Sequence, residues 1–568
     1  MYDGLARKME QLTGEIQEPA PLRMRFAHIV LALSMLVTGA CGMIYEYTLG
    51  VLGNNLMGSS REQIFVIIGL MMFAMGIGAT LQQRLVASLL DKFLFIELLL
   101  AFLGGISTLV IYTTFAFADS FHLVMYSFAL AIGVLIGFEV PLLIRINAEF
   151  SRNLSRNIAS ILTMDYVGSL LGSLLFVYVL LTRFSVERIS LLLGLANAIV
   201  AAAGLVYFWP LVARRYWLAG GCSAAIIGLV FVMYSSNGWM VRLEQRCFAD
   251  PIVHSETTKY QHLVLTQRRQ RTRLYIDGHL QFSSDDEKIY HELLVHVPMS
   301  VVPRRNRVLI LGGGDGLALR EVLRYGDVRE VTLIDIDRGM IRMASEHPEM
   351  IRLNRASFHD ARVSSTIGHG VIGGEKITIS GHAYGDWLKD DRQYELADVQ
   401  VLTIDADLFV REVEGTYDVV IVDFPDPRSI ELAKLFSVEF FQKVRQHLAP
   451  DGAIAVQSTS PLRAKLVFSC IGETLSAAGF SKLPYHAHVP SFGDWGWYLA
   501  WQGGASEAEM RERLPRTDPL LVNTEFVSAE VVRSAFVFGR NVLRVDEDVR
   551  PNTKFRPVIL AYYERGFR

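Results

Sequence analysis

Seven stretches of the chain, at about 26–49, 64–82, 93–116, 121–144, 158–182, 187–208 and 216–234, are long and apolar enough to cross a bilayer as helices, which takes roughly 20 mostly apolar residues. Each is too long for a core strand. The first does not read as a signal peptide, because it starts late, runs too long and is followed by more spans. Charge divides the chain in the same place. Residues 1–240 hold 27 Asp, Glu, Lys and Arg, and residues 241–568 hold 86. The expectation is a lipid-facing half joined to a water-facing half, not one globular domain. A net charge of −3 excludes a generally basic nucleic-acid binder. Cys41, Cys222, Cys247 and Cys470 are scattered and form no CxxC, so neither a disulfide framework nor a metal site is expected.

Basic residues in short loops collect on the cytoplasmic side of a membrane. Arg7, Lys8, Arg23, Arg25, Arg84, Lys92, Arg145, Arg152, Arg156, Arg214 and Arg215 fall on one side of the spans, and Arg61, Arg183 and Arg188 on the other. The count puts the N-terminus in the cytoplasm and, after seven spans, the second half outside. A missed or re-entrant segment near Gly50–Ser60 would reverse that parity. Glu46, Glu97, Glu139 and Asp165 sit in or near spans. Acids there serve interhelical hydrogen bonds, lie at span ends, or line a polar pathway. Gly168 and Gly172, with Ser169 and Ser173, form a GxxxG suited to close helix packing.

From about 250 the pattern changes. His262–Thr266 and Leu274–Ile276 read as strands of a small antiparallel region. Arg307–Leu311 reads as a buried strand, followed by Gly312-Gly313-Gly314-Asp315-Gly316, a helix over 317–323, and the strand Val331–Ile334 ending in Asp335-Ile336-Asp337. Strand, glycine loop, helix, strand, acid is the nucleotide-binding βαβ unit. Further strands end at Asp405 and Asp423, and 454–456 adds another. Ligands in such sheets bind at the carboxyl ends of strands, where Asp315, Asp335, Asp405 and Asp423 all fall. Asp315 makes the loop more informative. It would repel a dinucleotide's pyrophosphate, since two charges ~4 Å apart interact by about 4 kcal/mol even at an effective dielectric near 20. An adenosine-containing cation, such as a sulfonium, fits better. Asp423-Phe424-Pro425-Asp426-Pro427 places two more carboxylates on a stiff turn. With Asp315, and with Tyr290, His291 and Glu292 on a helix, they could line an acidic cleft suited to a polyamine.

Together these residues resemble the spermidine synthase family, the polyamine aminopropyltransferases, in its membrane-bound multi-pass branch. The shared elements are Tyr260-Gln261, Asp277–Gln281, Asp286–Glu292, Gly312–Gly316 with Leu319–Leu323, Asp335-Ile336-Asp337 and Asp423–Pro427, in the family's order over about 250–505. Asp335 stands where the family has glutamate. Arg428-Ser429 replaces Gly-Pro after the DxxDP turn. Val489–Phe492 replaces a Tyr-Pro, and 364–398 is a Gly-rich insertion.

The resemblance implies a chain built as a tail (1–25), a membrane domain of about seven helices (26–240), a small β region (250–300), a Rossmann-like methyltransferase-type sheet (301–505) and a C-terminal tail (506–568). It implies transfer of an aminopropyl group from decarboxylated S-adenosylmethionine, as co-substrate and with no cofactor, to putrescine or a related polyamine. Asp423 would be the catalytic base. Tyr290, His291, Asp315 and Asp426 would hold the amine. Gln261, Gly312, Gly314, Gly316, Asp335, Asp405 and Ala406 would hold the nucleoside. The bilayer and a possible homodimer are the other partners, and no nucleic acid is expected. The expected place is the cell (inner) membrane. The nucleoside is cytoplasmic, so the catalytic half is expected there although the charge count opposes it. An amine methyltransferase, or a polyamine transporter or sensor without turnover, are the alternatives; a dehydrogenase conflicts with Asp315.

Overall fold

The computed structural model describes residues 26–57, 61–118, 121–150, 153–360, 398–518 and 520–566. The insertion expected at 364–398 lies almost wholly outside them. The chain forms two compact units that meet at Ala249 and Asp250.

The first unit is a bundle of seven apolar helices: α1 (Ala27–Met57), α2 (Arg61–Leu81), α3 (Leu89–Phe117), α4 (Phe121–Ala148), α5 (Leu154–Leu175), α6 (Val186–Tyr207) and α7 (Arg215–Cys247). By length and composition each is able to cross a membrane. α5 runs on through one π-helical turn, Phe176–Leu180. Residues 50–57 continue α1, and 58–60 of the segment considered near Gly50–Ser60 lie outside the described residues, among which seven helices are long and apolar enough to span. The GxxxG faces inward. A Cβ on Gly168 would lie 2.1 Å from the Leu36 carbonyl oxygen and one on Gly172 2.7 Å from that of Ala40. Its stripe therefore packs α5 against α1 of the same chain, backbone to backbone.

The second unit begins with a four-stranded antiparallel sheet, β1 (Ile252–Thr257), β2 (His262–Arg268), β3 (Arg271–Ile276) and β4 (His279–Ser283). Helix α8 (Glu287–Val301) follows. Next come β5 (Arg307–Gly312), α9 (Leu317–Val322), β6 (Glu330–Asp335), α10 (Arg338–Glu346), β7 (Asp398–Thr403), α11 (Ala406–Glu412), β8 (Tyr417–Asp423), α12 (Val438–Gln446), β9 (Leu448–Gln457), α13 (Lys465–Ala477), β10 (Ser481–Val489) and β11 (Gly493–Trp501). The seven strands pair in the order β10-β11-β9-β8-β5-β6-β7. β9, β8, β5, β6 and β7 are parallel, and the β10–β11 hairpin closes one edge antiparallel.

Both faces of this sheet are buried, as a parallel sheet requires. Val308, Ile310, Val419 and Ile421 enter the core on one face, while Leu309, Leu311, Val420 and Val422 enter it on the other. The chain leaves β5 toward β6 and β7, then returns to β8 on the opposite side of β5. Strand order thus reverses between β5 and β8, and ligands of open α/β sheets bind at that crevice.

The segment after 505 is not a tail. Val527, Val532 and Ile559 are buried in the two cores. The Glu292 carboxylate, expected to line the acidic cleft, instead accepts hydrogen bonds from the backbone N–H groups of Glu525, Phe526 and Val527 at 2.8–2.9 Å. Asn552, fully buried, donates to the carbonyls of Ala433 and Phe436. Dispersed single apolar residues, without long periodic runs, hid this packing in the sequence.

Candidate active site

The switch point sets the geometry. Gly312 pairs with Asp423 across the β5–β8 ladder. A Cβ there would lie 2.2 Å from the Asp423 carbonyl oxygen, and its φ of +86° suits glycine alone. The glycine loop can therefore lie flat on the end of β8. Asp315 then turns the chain into α9 by accepting from the Leu317 N–H at 2.9 Å. Gly316, with φ of +78°, leaves room for Phe358 and Ser357.

On the amine side, Tyr290 donates its hydroxyl hydrogen to Oδ1 of Asp423 at 2.7 Å, and His291 Nε2 lies 4.0 Å from Oδ2. Tyr290 and His291 are neighbours on α8 and share its buried face. Nδ1 of His291 is held by the Glu287 carbonyl at 2.9 Å and by the Glu287 carboxylate at 3.0 Å. Arg320 clamps that carboxylate with both terminal nitrogens at 2.9 Å. The chain of partners continues through Glu321 to His296 and the Tyr325 hydroxyl. A buried charge of either sign is tolerable only when paired in this way.

Burial disfavours a charged imidazole, but the Glu287 hydrogen bond and the charges of Asp315, Glu287 and Asp423 outweigh it and push His291 up to about 9. Burial likewise pushes Asp423 up to about 6; His291 and the Tyr290 hydrogen bond pull against it, and Asp315 adds to it. Asp315 is raised by burial, with His291 opposing. Asp426 is pushed up to about 6 by burial, opposed by Arg428, Gln457 and the Tyr563 hydroxyl. Three acids crowd a dry crevice beside one imidazolium, an environment that favours an added cation.

On the nucleoside side, Oδ2 of Asp335 accepts from the Gly314 N–H at 3.0 Å and Oδ1 from the Asp337 N–H at 2.8 Å. Gly314 is needed for this approach, because a Cβ would come 2.5 Å from Oδ2. Burial, more than the neighbouring acids, pushes Asp335 up to about 7. Gln261 does not reach this carboxylate; its side chain bonds Asp337, which also accepts from the Thr258 hydroxyl at 2.8 Å. Asp405 caps α11 through the Asp407 N–H and pairs with Lys434, and Ala406 begins that helix, buried.

Residues 287–373 and 378–512 match the spermine/spermidine synthase domain family. A polyamine aminopropyltransferase of Streptomyces coelicolor is 37% identical over 97% of this chain and 97% of its own length. One from Oceanobacillus iheyensis is 34% identical over 94% and 96%. The chain belongs to the polyamine aminopropyltransferase family. A solved spermidine synthase from Thermotoga maritima is 21% identical, covering 51% of this chain and 87% of that one with a TM-score of 0.40.

Against the aminopropyltransferase pattern, the departures have visible consequences. Arg428, in place of the usual glycine, reaches back to donate to the Ile276 carbonyl at 3.2 Å and stands beside Asp426. It also depresses His279, after burial, to about 4. Ser429 caps the one-turn helix Ile430–Ala433. Phe492 supplies an aromatic edge to Tyr290 at 6.3 Å between ring centres, and Trp495 and Trp497 complete that wall at 6.4 and 5.5 Å. Ser491 anchors the turn to Asp286 through its N–H and hydroxyl. Reading the sequence missed Tyr563, whose hydroxyl donates to Asp426 at 3.4 Å, and Gln457, which donates to the Phe424 carbonyl at 2.6 Å. Gln457 belongs to no motif, and Tyr562-Tyr563-Glu564 resembles the family's membrane-bound branch without marking a site; both residues meet the site only through the sheet's return strands and the C-terminal helix.

Proposed function

We propose that this chain transfers the aminopropyl group of decarboxylated S-adenosylmethionine to putrescine, giving spermidine and methylthioadenosine. The observation that carries the reading is the convergence of Asp315, Asp423 and Asp426 with Tyr290 and His291 where β5 and β8 part. The amine nitrogen attacks the aminopropyl carbon bonded to sulfur. The carbon–sulfur bond breaks, its electron pair returns to sulfur, and neutral methylthioadenosine leaves. A sulfonium leaves readily, so no cofactor is invoked.

The barrier lies with the nucleophile, because an alkylamine has a pKa near ~10.4 and is protonated at neutral pH. Asp423 takes that proton. Its raised pKa suits a base working near neutrality. Tyr290 and His291 fix its orientation, and the protonated His291 keeps the carboxylate ionised in a dry site. Asp426 and Asp315 hold the remaining ammonium charge and align the diamine. On the nucleoside side Asp335 accepts from the ribose hydroxyls while the glycine-loop backbone lies against the ligand. Gln261 acts there through Asp337. Asp405 and Ala406 border the adenine end. The acidic cleft disfavours ordinary S-adenosylmethionine, which adds a carboxylate where three already stand.

The seven helices are read as membrane-spanning. Their polar residues Glu97, Ser107, Thr108 and Glu139 are buried, whereas Phe65, Phe73, Leu123, Val206 and Ile227 are each more than 60% exposed. That arrangement suits lipid and not water. The catalytic unit is placed at the cytoplasmic face of the cell membrane because its nucleoside is made in the cytoplasm.

The test is to give the purified full chain putrescine with either nucleoside and to read products by mass spectrometry. Spermidine and methylthioadenosine from the decarboxylated donor alone are expected. A methylated amine from ordinary S-adenosylmethionine would replace this reading with a methyltransferase.

A further inference from the structure

Glu97 on α3 is fully buried, and neither of its carboxylate oxygens has a hydrogen-bond partner. Glu139 on α4 is 1% exposed; it shares a hydrogen bond with Thr38 of α1, and its Oε2 has no partner. The two carboxyls are close enough to act on each other, and both act on Tyr45 and Cys41 of α1. Asp165 of α5 acts on Glu139 in turn. Tyr45 cannot serve them, since its hydroxyl donates to the Leu100 carbonyl at 3.4 Å. Gly104 fixes it there, because a Cβ at that position would come 2.5 Å from the hydroxyl oxygen. Acids from three helices thus meet beside Tyr45 and Cys41 of a fourth, and their unsatisfied atoms are all acceptors. Buried carboxyls without donors are costly to maintain.

We propose that Glu97 and Glu139 form a binding site for a primary ammonium, the end of an aliphatic amine, inside the helical unit and separate from the catalytic crevice. An ammonium has three N–H donors, and Glu97 Oε1, Glu97 Oε2 and Glu139 Oε2 are three free acceptors. The surrounding core, with Leu100 and Met35 fully or almost fully buried beside Tyr45, offers apolar walls for an alkyl chain. The choice of putrescine as probe rests on the reaction proposed above; the site itself does not.

The test counts putrescine sites on the full chain in detergent, by equilibrium dialysis of radiolabelled putrescine with methylthioadenosine present, alongside turnover. Wild type is expected to bind two equivalents, and Glu97→Gln and Glu139→Gln one each with turnover unchanged. Glutamine keeps the shape and removes the charge. A folded variant is recognised by an unaltered gel-filtration profile, and either variant suffices if the other does not fold. One equivalent on wild type, or two on both variants, overturns the site. Loss of turnover in wild type with two-site binding intact would instead overturn the reaction and leave the site standing.

Discussion

Tyr290 donates its hydroxyl hydrogen to Oδ1 of Asp423 at 2.7 Å, while His291, the next residue, faces Oδ2 from 4.0 Å. One turn of α8 therefore supplies both a neutral donor and a cation to the same carboxylate. Removing the carboxylate charge with Asp423→Asn should lower kcat by roughly 10²–10⁴, the range for a lost general base. Nucleoside binding should persist, because Asp335 and the glycine loop are untouched. Comparison of single-turnover rate with nucleoside affinity checks this, and an unchanged rate would refute the assignment.

The same pair sets the pH profile. Asp423 must be ionised to act, and it is held at about 6, so activity should rise as pH passes through that value. The Tyr290 hydrogen bond stabilises the carboxylate and pulls its pKa down. Tyr290→Phe should move the acid limb upward by roughly one unit. The profile of kcat is the measurement, and a downward shift would show that the tyrosine acts otherwise.

Arg428 brings a positive charge next to Asp426, in a crevice that has to admit a cation. Arg428→Gly should lower KM for putrescine by roughly 3–10-fold, as removal of one like charge at partly screened distance allows. His279, which burial and Arg428 hold near 4, should titrate higher in the same variant. Steady-state kinetics and the imidazole resonance report the two effects separately.

Glu292 gathers three backbone N–H groups of residues 525–527. Glu292→Ala would take the acceptor from all three, and the buried Val527 N–H left without one would cost about 1–3 kcal/mol. The full chain should melt lower, and protease should cut after 505 at lower concentration. Glu292→Gln, which keeps one acceptor oxygen, should fall between.

The sidedness proposal is open to a direct check. A cytoplasm-specific reporter joined after residue 566 should be active if the catalytic unit faces the cytoplasm. Activity only from an export-specific reporter would uphold the positive-inside count of the short loops instead.

The helices and the parallel sheet were legible because their patterns are long or repeated. Apolar runs near 20 residues admit few readings, and the glycine loop between β5 and α9 fixed the switch point. β1, β4 and the β10–β11 hairpin were harder. β1 alternates over only six residues, β4 is five residues long, and β11 mixes tryptophans with glycine. The acids of the site announced themselves through motifs. Their supports did not: Glu287 and Arg320 lie 33 residues apart, and Asp426 and Tyr563 lie 137 apart. Asp405 stood at the expected strand end, but its salt bridge to Lys434 could not be read from sequence spacing.

The hydroxyl of Tyr563 on Asp426 has a consequence for biogenesis. On the ribosome the seven helices precede every strand of the catalytic sheet. Asp423 and Asp426 follow with Tyr290 already made, but Tyr563 comes 137 residues after Asp426. A nascent chain that has just released the Asp423–Pro427 turn would hold every motif residue and still lack the Tyr563 hydroxyl, so the site matures only once the helix Val558–Gly566 has been made.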